Sequence, residues 1–359
     1  MRRRGWLTLA GLLALGVAVV AGSAPSAASG SVSGARGAGF TGGQAPVWSA
    51  DGKEIAYVGP APGETFVGET LTDLDNLNHV FVVPADGSGA ARSVVVAPEN
   101  DTLDAVSFGP RGSFVYQDSN YTLWVAGLGK RAARVATVGV PGWSGIAYAL
   151  SPDGQVVAFD APCGCKLAQA DVVETRALAG GRTRRLSRFP ALDPSFSPDG
   201  RQVVFSGALG SLVVVPVWGG AARSLGVSGL SPQWSPDGRW IAFTGFGSSL
   251  QVIPASGGSP TTLVAGGPFP KGVVTFSWSP DSSRLVWQTG VAMGTVDLAG
   301  NKTTFSLPGL RIGNTGVPRW SPDGASIAFT ARPVKTTDPN PDIRIYVTGA
   351  DGKHLRRLA

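Results

Sequence analysis

The stretch QWSPDGRWIAFTG, residues 233–245, predicts a tight hairpin followed by a buried strand. Pro236 presets the backbone for the first corner of a turn, and the Asp237 carboxylate can accept a backbone N–H at the second corner. Gly238 suits the position with positive φ that closes a three-residue hairpin loop. Residues 240–244 are apolar, aromatic or β-branched at both odd and even positions, which is typical of a strand covered on both faces.

The same segment recurs along the chain. Related copies begin at Trp48, Leu150, Phe196, Trp278 and Trp320, and a degenerate copy, in which Arg111 replaces the aspartate, begins at Phe108. The seven turns lie at positions 51, 111, 153, 199, 237, 281 and 323, so that neighbouring turns are 38 to 60 residues apart. Repeats of this length are typical of propellers and solenoids.

A second half-motif completes each repeat. After the hairpin come a third strand, a turn of small residues and a fourth strand, most clearly in IRIYVTGADGKHLRRLA, residues 343–359. Each repeat is therefore predicted to form four short antiparallel strands, A to D, with tight A–B and C–D turns. Such sheets, with an aromatic residue at a fixed place, are typical of propeller blades. We predict an all-β fold, a seven-bladed β-propeller of four-stranded antiparallel blades.

These repeats resemble those of TolB-type, WD40-like propeller proteins. The signature of that family is a Trp-Ser-Pro-Asp-Gly hairpin followed by an Ile-Ala-Phe-like strand, and it stands most fully at residues 234–243 and 320–329. The resemblance covers about residues 45–359. It implies the propeller fold and leaves the function open, because such repeats serve many roles.

The N-terminal segment predicts export. Residues 1–28 combine the basic start MRRR, an uncharged apolar core and small residues suited to cleavage near Ala28. The alternative is an uncleaved N-terminal membrane anchor, because the core is about as long as the shortest membrane-spanning helices. Residues 29–44, rich in Gly, Ser and Ala, predict a flexible linker before the propeller at 45–359. We expect an extracytoplasmic location: periplasmic, secreted or at the cell surface.

The charge pattern argues against nucleic acid as a partner. The formal net charge is +6, and loss of residues 1–28 would leave 27 basic against 24 acidic residues. No dense basic stripe with interleaved aromatic residues follows the leader. The local basic run GRTRRLSR, residues 181–188, is interpreted as a solvated edge that discourages sheet pairing, with an anionic-ligand site as the alternative.

Strand alternation separates two faces of the predicted propeller. The A–B and C–D turns share one face, which we call the hairpin-turn face, and the B–C loops and D–A crossovers share the other. Length variation falls on the second face, in segments 59–78, 161–170, 265–273 and 331–342. We call this the variable-loop face, and we predict that it forms a binding surface around the channel mouth, with neutral loop drift as the alternative. Glu64, Asp75 and Lys335 are its candidate binding residues.

Residues suited to catalysis are sparse. His79 and His354 have no metal-ligand partner at a useful spacing, and no Gly-x-Ser-x-Gly motif occurs. The sequence therefore predicts no catalytic residues, no metal and no cofactor, and the repeated turn aspartates are interpreted as turn formers. Asp104 and Asp193 each precede an innermost strand near the channel mouth, where they are candidates for contact with a ligand or cation.

The segment Cys163-Gly164-Cys165 contains both cysteines of the chain. Two cysteines in an exported protein tend to pair, so Cys163 and Cys165 are a candidate disulfide. A ring closed across one residue would be strained and easily reduced. The interpretation is a loop staple or two idle thiols, and the alternative is a soft-metal or redox role.

Two classes of function are consistent with these features. The first, which we prefer, is a non-enzymatic, monomeric scaffold outside the cytoplasmic membrane that binds a protein, peptide or cell-envelope component on the variable-loop face. The second is an extracytoplasmic propeller-fold enzyme, such as a polysaccharide lyase or hydrolase, acting at the channel mouth. That enzyme would need a charged cluster there beyond Asp104 and Asp193.

The repeat pattern also makes two structural predictions. The first repeat begins with strand A of blade 1, and the last repeat ends with strand D of blade 7. No blade therefore needs strands from both ends of the repeat region, and blades 1 and 7 should close the ring by face packing alone. The fourth turn position is Gly in six repeats and Ser282 in blade 6. If all turns share one geometry, Ser282 has a positive φ that costs about 1 kcal/mol, and Ser282→Gly should be slightly stabilising.

Overall fold

A computed structural model describes residues 44–60, 78–97, 103–109, 112–118, 120–127, 132–138, 148–163, 171–268, 270–312, 316–334 and 344–358. Its contacts divide the chain into two units, Met1–Gly37 and Ala38–Ala359, and all described residues belong to the second. Within the described part of the chain, no helix is long and apolar enough to span a membrane.

Seven antiparallel sheets follow one another along the chain, and each is built on four strand positions, from the innermost A to the outermost D; in the seventh sheet two short strands share position A. Blade 1 contains β1 (Gln44–Trp48), β2 (Glu54–Gly59), β3 (His79–Pro84) and β4 (Arg92–Val96). Blade 2 contains β5 (Leu103–Phe108), β6 (Phe114–Asp118), β7 (Thr122–Ala126) and β8 (Ala133–Thr137). Blade 3 contains β9 (Tyr148–Leu150), β10 (Val156–Pro162), β11 (Asp171–Ala177) and β12 (Arg184–Arg185).

The remaining four blades continue the pattern. Blade 4 contains β13 (Leu192–Phe196), β14 (Gln202–Ser206), β15 (Ser211–Pro216) and β16 (Arg223–Ser228). Blade 5 contains β17 (Leu230–Trp234), β18 (Trp240–Gly245), β19 (Ser249–Pro254) and β20 (Thr261–Val264). Blade 6 contains β21 (Val273–Trp278), β22 (Arg284–Thr289), β23 (Met293–Asp297) and β24 (Lys302–Thr304). A 3₁₀ turn, Ala208–Gly210, lies in the B–C loop of blade 4.

In blade 7 the innermost strand is divided. Its two pieces, β25 (Leu310–Ile312) and β26 (Arg319–Trp320), both pair with β27 (Ser326–Pro333), which pairs in turn with β28 (Arg344–Gly349). The outermost strand is β29 (Arg356–Arg357). The predicted fold, a seven-bladed β-propeller of four-stranded blades, is confirmed.

The Ser-Pro-Asp-Gly segment forms a hydrogen-bonded hairpin turn. The Ser235 hydroxyl donates to Asp237 Oδ1 (2.6 Å) and accepts the backbone N–H of Trp240 (2.9 Å). Asp237 Oδ1 also accepts the N–H of Arg239 (3.0 Å). Gly238 donates its N–H to Ser235 O (2.9 Å) and has a φ of 74°. Serine and aspartate form the same bond, at 2.5 to 2.7 Å, in Ser49–Asp51, Ser151–Asp153, Ser197–Asp199, Ser279–Asp281 and Ser321–Asp323. The interpretation of these aspartates as turn formers is confirmed.

Each B strand is buried on both faces, because alternate side chains pack against the two neighbouring blades. In β2, Ala56 and Val58 pack towards blade 2, while Ile55 and Tyr57 pack towards blade 7. A buried apolar cluster lies at each of the seven blade interfaces. The apolar residues at both parities of the sequence pattern therefore fill a continuous ring of interfaces.

The ring closes between blades 7 and 1 by face packing. Tyr57 and Phe81 of blade 1 pack against Ala328, Ile345 and Val347 of blade 7, and all five residues are buried. Neither sheet contains a strand from the other end of the chain among the described residues. Within the described residues the two blades pack together without exchanging a strand, as predicted, and residues 36–43 lie outside the described part of the chain.

Two hydrogen bonds also cross this closing interface. Trp48 Nε1 donates to Arg319 O (3.0 Å), and the Arg356 guanidinium donates to Ala85 O (2.6 Å). The innermost strand β1 begins at Gln44, one residue before the start predicted for the propeller.

Candidate functional site

The seven innermost strands surround a central cavity of about 530 Å³. Every blade contributes to its lining, from Asp193 and Ser231 near the variable-loop face to Ala50 and Pro322 at the hairpin turns. Four tryptophans form part of the wall, and they come from blades 1, 5, 6 and 7: Trp48, Trp234, Trp278 and Trp320. The wall of the cavity therefore combines five aromatic side chains, Tyr148 among them, with eight polar or charged ones.

Two of these tryptophans form a hydrogen bond with the blade before their own. Trp48 Nε1 donates to Arg319 O (3.0 Å), and Trp278 Nε1 donates to Gln233 O (3.1 Å). In both cases the acceptor is the residue that precedes the tryptophan of the previous blade. The wall is thus positioned by backbone contacts that follow from the repeat.

Arg319 is the cationic side chain of the cavity wall. It precedes Trp320, and the matching positions of the other blades hold uncharged residues: Val47, Ser107, Ala149, Ser195, Gln233 and Ser277. Burial lowers the pKa of the Arg319 guanidinium from its usual value, but a guanidinium stays protonated at neutral pH. Within the described residues, the guanidinium has neither a carboxylate at ion-pair distance nor a hydrogen-bond acceptor.

Sequence reasoning missed Arg319. An alignment of the seven repeats could have identified it. Arg319 is the one charged residue at the position directly before the aromatic or leucine residue that begins each hairpin motif. Tyr148 interacts electrostatically with Arg319, and its hydroxyl donates to Val115 O (3.0 Å) and lies 3.2 Å from Ser107 Oγ. Burial raises the pKa of Tyr148, so the phenol is neutral and adds no negative charge beside Arg319.

Asp193 also lines the cavity, three blades away from Arg319. It lies inside β13, at a bulge between Leu192 and Ser195, so the prediction that it precedes the innermost strand is wrong. Its φ is 59°, and its side chain is buried. Asp193 Oδ2 accepts both the N–H (3.0 Å) and the hydroxyl (3.2 Å) of Ser231 in blade 5.

A second carboxyl group adjoins Asp193 from blade 3. The Asp193 N–H donates to Asp160 Oδ2 (3.3 Å), and Asp160 is fully buried in β10. Burial raises the pKa of Asp160 well above its usual range, and the charge of Asp193 raises it further. Burial likewise raises the pKa of Asp171, at the start of β11, to about 6. The chain Asp160–Asp193–Ser231 thus links blades 3, 4 and 5 at the channel.

The other candidate site residues are placed less fully. Asp104 lies within β5, at a bulge between Leu103 and Ala105, and not before the strand as predicted; its side chain lies outside the described residues. The loop candidates Glu64, Asp75 and Lys335 also lie outside the described residues.

Only one cysteine of the Cys-Gly-Cys segment lies within the described residues. Cys163 is disulfide-bonded, and Cys165 lies outside the described residues, so their pairing stays a prediction. In the described part of the chain, no group of three or more His, Cys, Asp or Glu side chains is arranged to hold a metal ion.

The two faces of the propeller differ in the apolar side chains that they expose. Eight large apolar residues are exposed in the described part of the chain, and Trp218 stands in a C–D turn on the hairpin-turn face. The other seven lie at B–C loops or D–A crossovers: Val96, Tyr121, Phe189, Leu209, Phe246, Val291 and Val334. Among the described residues, the exposed large apolar side chains therefore lie mostly on the variable-loop face.

Leu209 and Phe246 are close neighbours on this face. They are 74% and 71% exposed and stand in the B–C loops of blades 4 and 5. A Cβ atom added to Gly210 would lie 3.3 Å from Phe246 Cζ, so the ring lies against the residue that follows Leu209. Both side chains can therefore contact one partner surface.

Comparison with known proteins supports the fold. No protein-family model matches the chain, and no curated protein matches it in sequence. Among solved structures, it is similar to a chain of the mitotic checkpoint complex, with a TM-score of 0.55 and 14% identity over 92% of this chain and 98% of that chain. A structure assigned as TolB from Agrobacterium tumefaciens is 18% identical, with a TM-score of 0.45, and the match covers 75% of this chain and 84% of that chain. At 14% identity, the likeness to the checkpoint chain shows the propeller fold alone.

Proposed function

We propose that the chain is an exported, non-enzymatic propeller scaffold that binds a protein or peptide partner on its variable-loop face. The observation that carries the proposal is the placement of exposed apolar side chains. Seven of the eight in the described residues lie on that face, across blades 1 to 7. Leu209 and Phe246 adjoin one another there, and exposed apolar side chains that lie together mark interaction surfaces.

The chemistry of these side chains fits a protein partner. Aromatic and long aliphatic residues act as interface anchors because they bury a large area when a partner covers them. Phe189, Leu209 and Phe246 are each more than two-thirds exposed in the unbound chain. On the opposite face, the turn carboxylates are occupied by the serine hydroxyls and backbone N–H groups of their own hairpins, as Asp237 is by Ser235 and Arg239.

The N-terminal segment supports a location of this interaction outside the cytoplasm. Residues 1–28 have the basic start, apolar core and small-residue end of an export signal. The partner is accordingly a periplasmic, secreted or cell-envelope protein or peptide, and the propeller binds it as a monomer.

Capture on immobilised protein tests the proposal. Wild-type chain and the double variant Leu209→Ser/Phe246→Ser would be exposed to a cell-envelope extract, and the retained proteins compared by quantitative mass spectrometry. The double variant should lose most of the specifically retained partner, because two adjacent anchors are removed. Its melting temperature should stay within a few degrees of wild type, since both side chains are exposed.

Trp218→Ser provides the matched control, because it removes an exposed aromatic residue from the hairpin-turn face. It should retain the partner in full, and equal loss from both variants would contradict the face assignment. Charge reversals at Glu64, Asp75 and Lys335 belong to the same proposal and should weaken capture without lowering the melting temperature.

A further inference from the structure

We propose that the central cavity is a binding site for a small organic carboxylate, with Arg319 as the anion-binding group and the partly exposed Trp48 and Trp234 as the surface for its apolar body. This inference goes beyond the scaffold function. It concerns the channel formed by the innermost strands and does not depend on the variable-loop face.

The first step is the charge of Arg319. Its guanidinium is partly buried against the cavity, and within the described residues it has no carboxylate or hydrogen-bond acceptor. A buried charge without a partner is unfavourable, and a guanidinium presents a planar fork of donors. The complement of that fork is a carboxylate, which accepts two parallel N–H bonds.

The second step is the space around Arg319. The cavity volume of about 530 Å³ lies within the range of roughly 300–1,000 Å³ that small-molecule sites occupy. Trp48 and Trp234 are partly exposed and contribute apolar surface to its wall, whereas Trp278 and Trp320 line it with less than a tenth of their surface exposed. Aromatic rings stack on such surfaces, so the favoured ligand is a planar, apolar carboxylate.

The third step is the position of Asp193. Its carboxyl group lies in blade 4, and Arg319 lies in blade 7, so the two are far apart on the ring. Asp193 Oδ2 accepts two hydrogen bonds from Ser231, which holds the carboxyl group at its own side of the channel. Asp193 is thus held by blade 5 and is not a partner of the Arg319 guanidinium.

Benzoate is the probe, titrated into the full chain by calorimetry and by tryptophan fluorescence. We expect saturable binding, because benzoate unites a carboxylate with a planar apolar ring. Arg319→Met should weaken that binding at least about tenfold, which corresponds to about 1.4 kcal/mol. Benzamide, the uncharged analogue, should bind less tightly than benzoate and equally to both proteins.

Arg311→Met is the matched control, since Arg311 is an exposed arginine of the same blade outside the cavity. It should leave benzoate affinity unchanged. Arg319→Met should melt at or above the wild-type temperature, because it removes an unpaired charge. Arg319→Lys keeps the charge without the fork, should show intermediate affinity, and tests the proposal if the methionine variant folds poorly.

Three results would overturn the proposal: no saturable benzoate binding, equal affinity of wild type and Arg319→Met, or tighter binding of inorganic phosphate than of benzoate. Each is separable from failure of the scaffold function, because capture of a protein partner is tested with Leu209 and Phe246 and not with Arg319.

Discussion

Ser282 holds in blade 6 the turn position that glycine holds in the other hairpins. Its φ of 62° confirms the left-handed geometry predicted from the repeat. The structure adds a contact that the turn letters do not indicate: Ser282 Oγ accepts the backbone N–H of Asp237 in blade 5 (2.9 Å). The hydroxyl therefore joins two neighbouring hairpins and offsets part of the backbone strain.

This contact changes the expected stabilities. Ser282→Gly relieves strain of about 1 kcal/mol and loses a hydrogen bond of similar net value, so the free energy of unfolding should change by less than about 1 kcal/mol. Ser282→Ala keeps the strain and loses the bond, and should cost about 1–2 kcal/mol. Urea unfolding of both variants measures the order. An alanine variant as stable as wild type would show that the bond to Asp237 contributes nothing.

Gly238 and Gly324 serve as controls for the turn geometry, with φ values of 74° and 71°. An added Cβ would lie 3.2 Å from Pro198 Cγ at Gly238 and 3.7 Å from Pro280 Cδ at Gly324. Both alanine variants should therefore lose about 1 kcal/mol from strain, with the larger loss for Gly238→Ala because its neighbour must also shift.

Among the elements, the innermost strands carry bulges that the sequence analysis did not predict. Strands β1, β13 and β17 shift register around Pro46, Pro194 and Pro232. Proline lacks the N–H that a ladder needs, and it is tolerated in an edge strand or at a bulge. The hairpin turns could be predicted because each is a local set of four letters. The bulges depend on which edge of the sheet faces the channel, and this is not a local property of the sequence. For this reason the sequence analysis puts Asp104 and Asp193 before their strands, whereas they lie at bulges within them.

The bulge at Asp193 gives a pH-dependent prediction for Asp160. The folded-state pKa of Asp160 lies above its unfolded value of about 3.9, so the folded chain holds the proton more tightly. This contribution to stability is therefore lost as the pH rises from about 4 through the folded-state pKa. Asp160→Asn mimics the protonated group and keeps an oxygen for the Asp193 N–H. It should be nearly neutral at about pH 4 and stabilising at about pH 8 in urea unfolding.

Asp153→Asn supplies a control of opposite sign from the same blade. The Ser151 hydroxyl and the Gln155 N–H lower the pKa of Asp153, so its ionised form contributes stability above the unfolded pKa. Its replacement should be destabilising at neutral pH and less so in acid. If Asp160→Asn destabilises at pH 8 as Asp153→Asn does, the Asp160 carboxylate is stabilised in the folded chain and the assignment of its pKa shift is wrong.

For the whole molecule, the blade number, the four-strand unit and the closure by packing could be predicted from the sequence. These features follow from the regular spacing of the hairpin motif and from apolar residues at odd and even positions of the B strands. Both patterns can be read from one sequence. The content of the central cavity could not be predicted, because seven separate strands supply its wall. Arg319 is a candidate anion-binding group because no acceptor surrounds it in the described residues. Its surroundings come from strands that are distant in sequence and meet only in the closed ring, so the sequence does not reveal them.

Because the ring closes by packing, we expect the interface between blades 7 and 1 to be as stable as the other six blade interfaces. Ile345 at this interface and Ile253 at the blade 4–blade 5 interface are both fully buried. Ile345→Ala and Ile253→Ala should each lower the free energy of unfolding by about 2–5 kcal/mol. Both variants should unfold in a single calorimetric transition, because each blade is stabilised by both neighbours. A separate early transition in Ile345→Ala, absent from Ile253→Ala, would instead show that the ring opens at its termini before the other blades unfold.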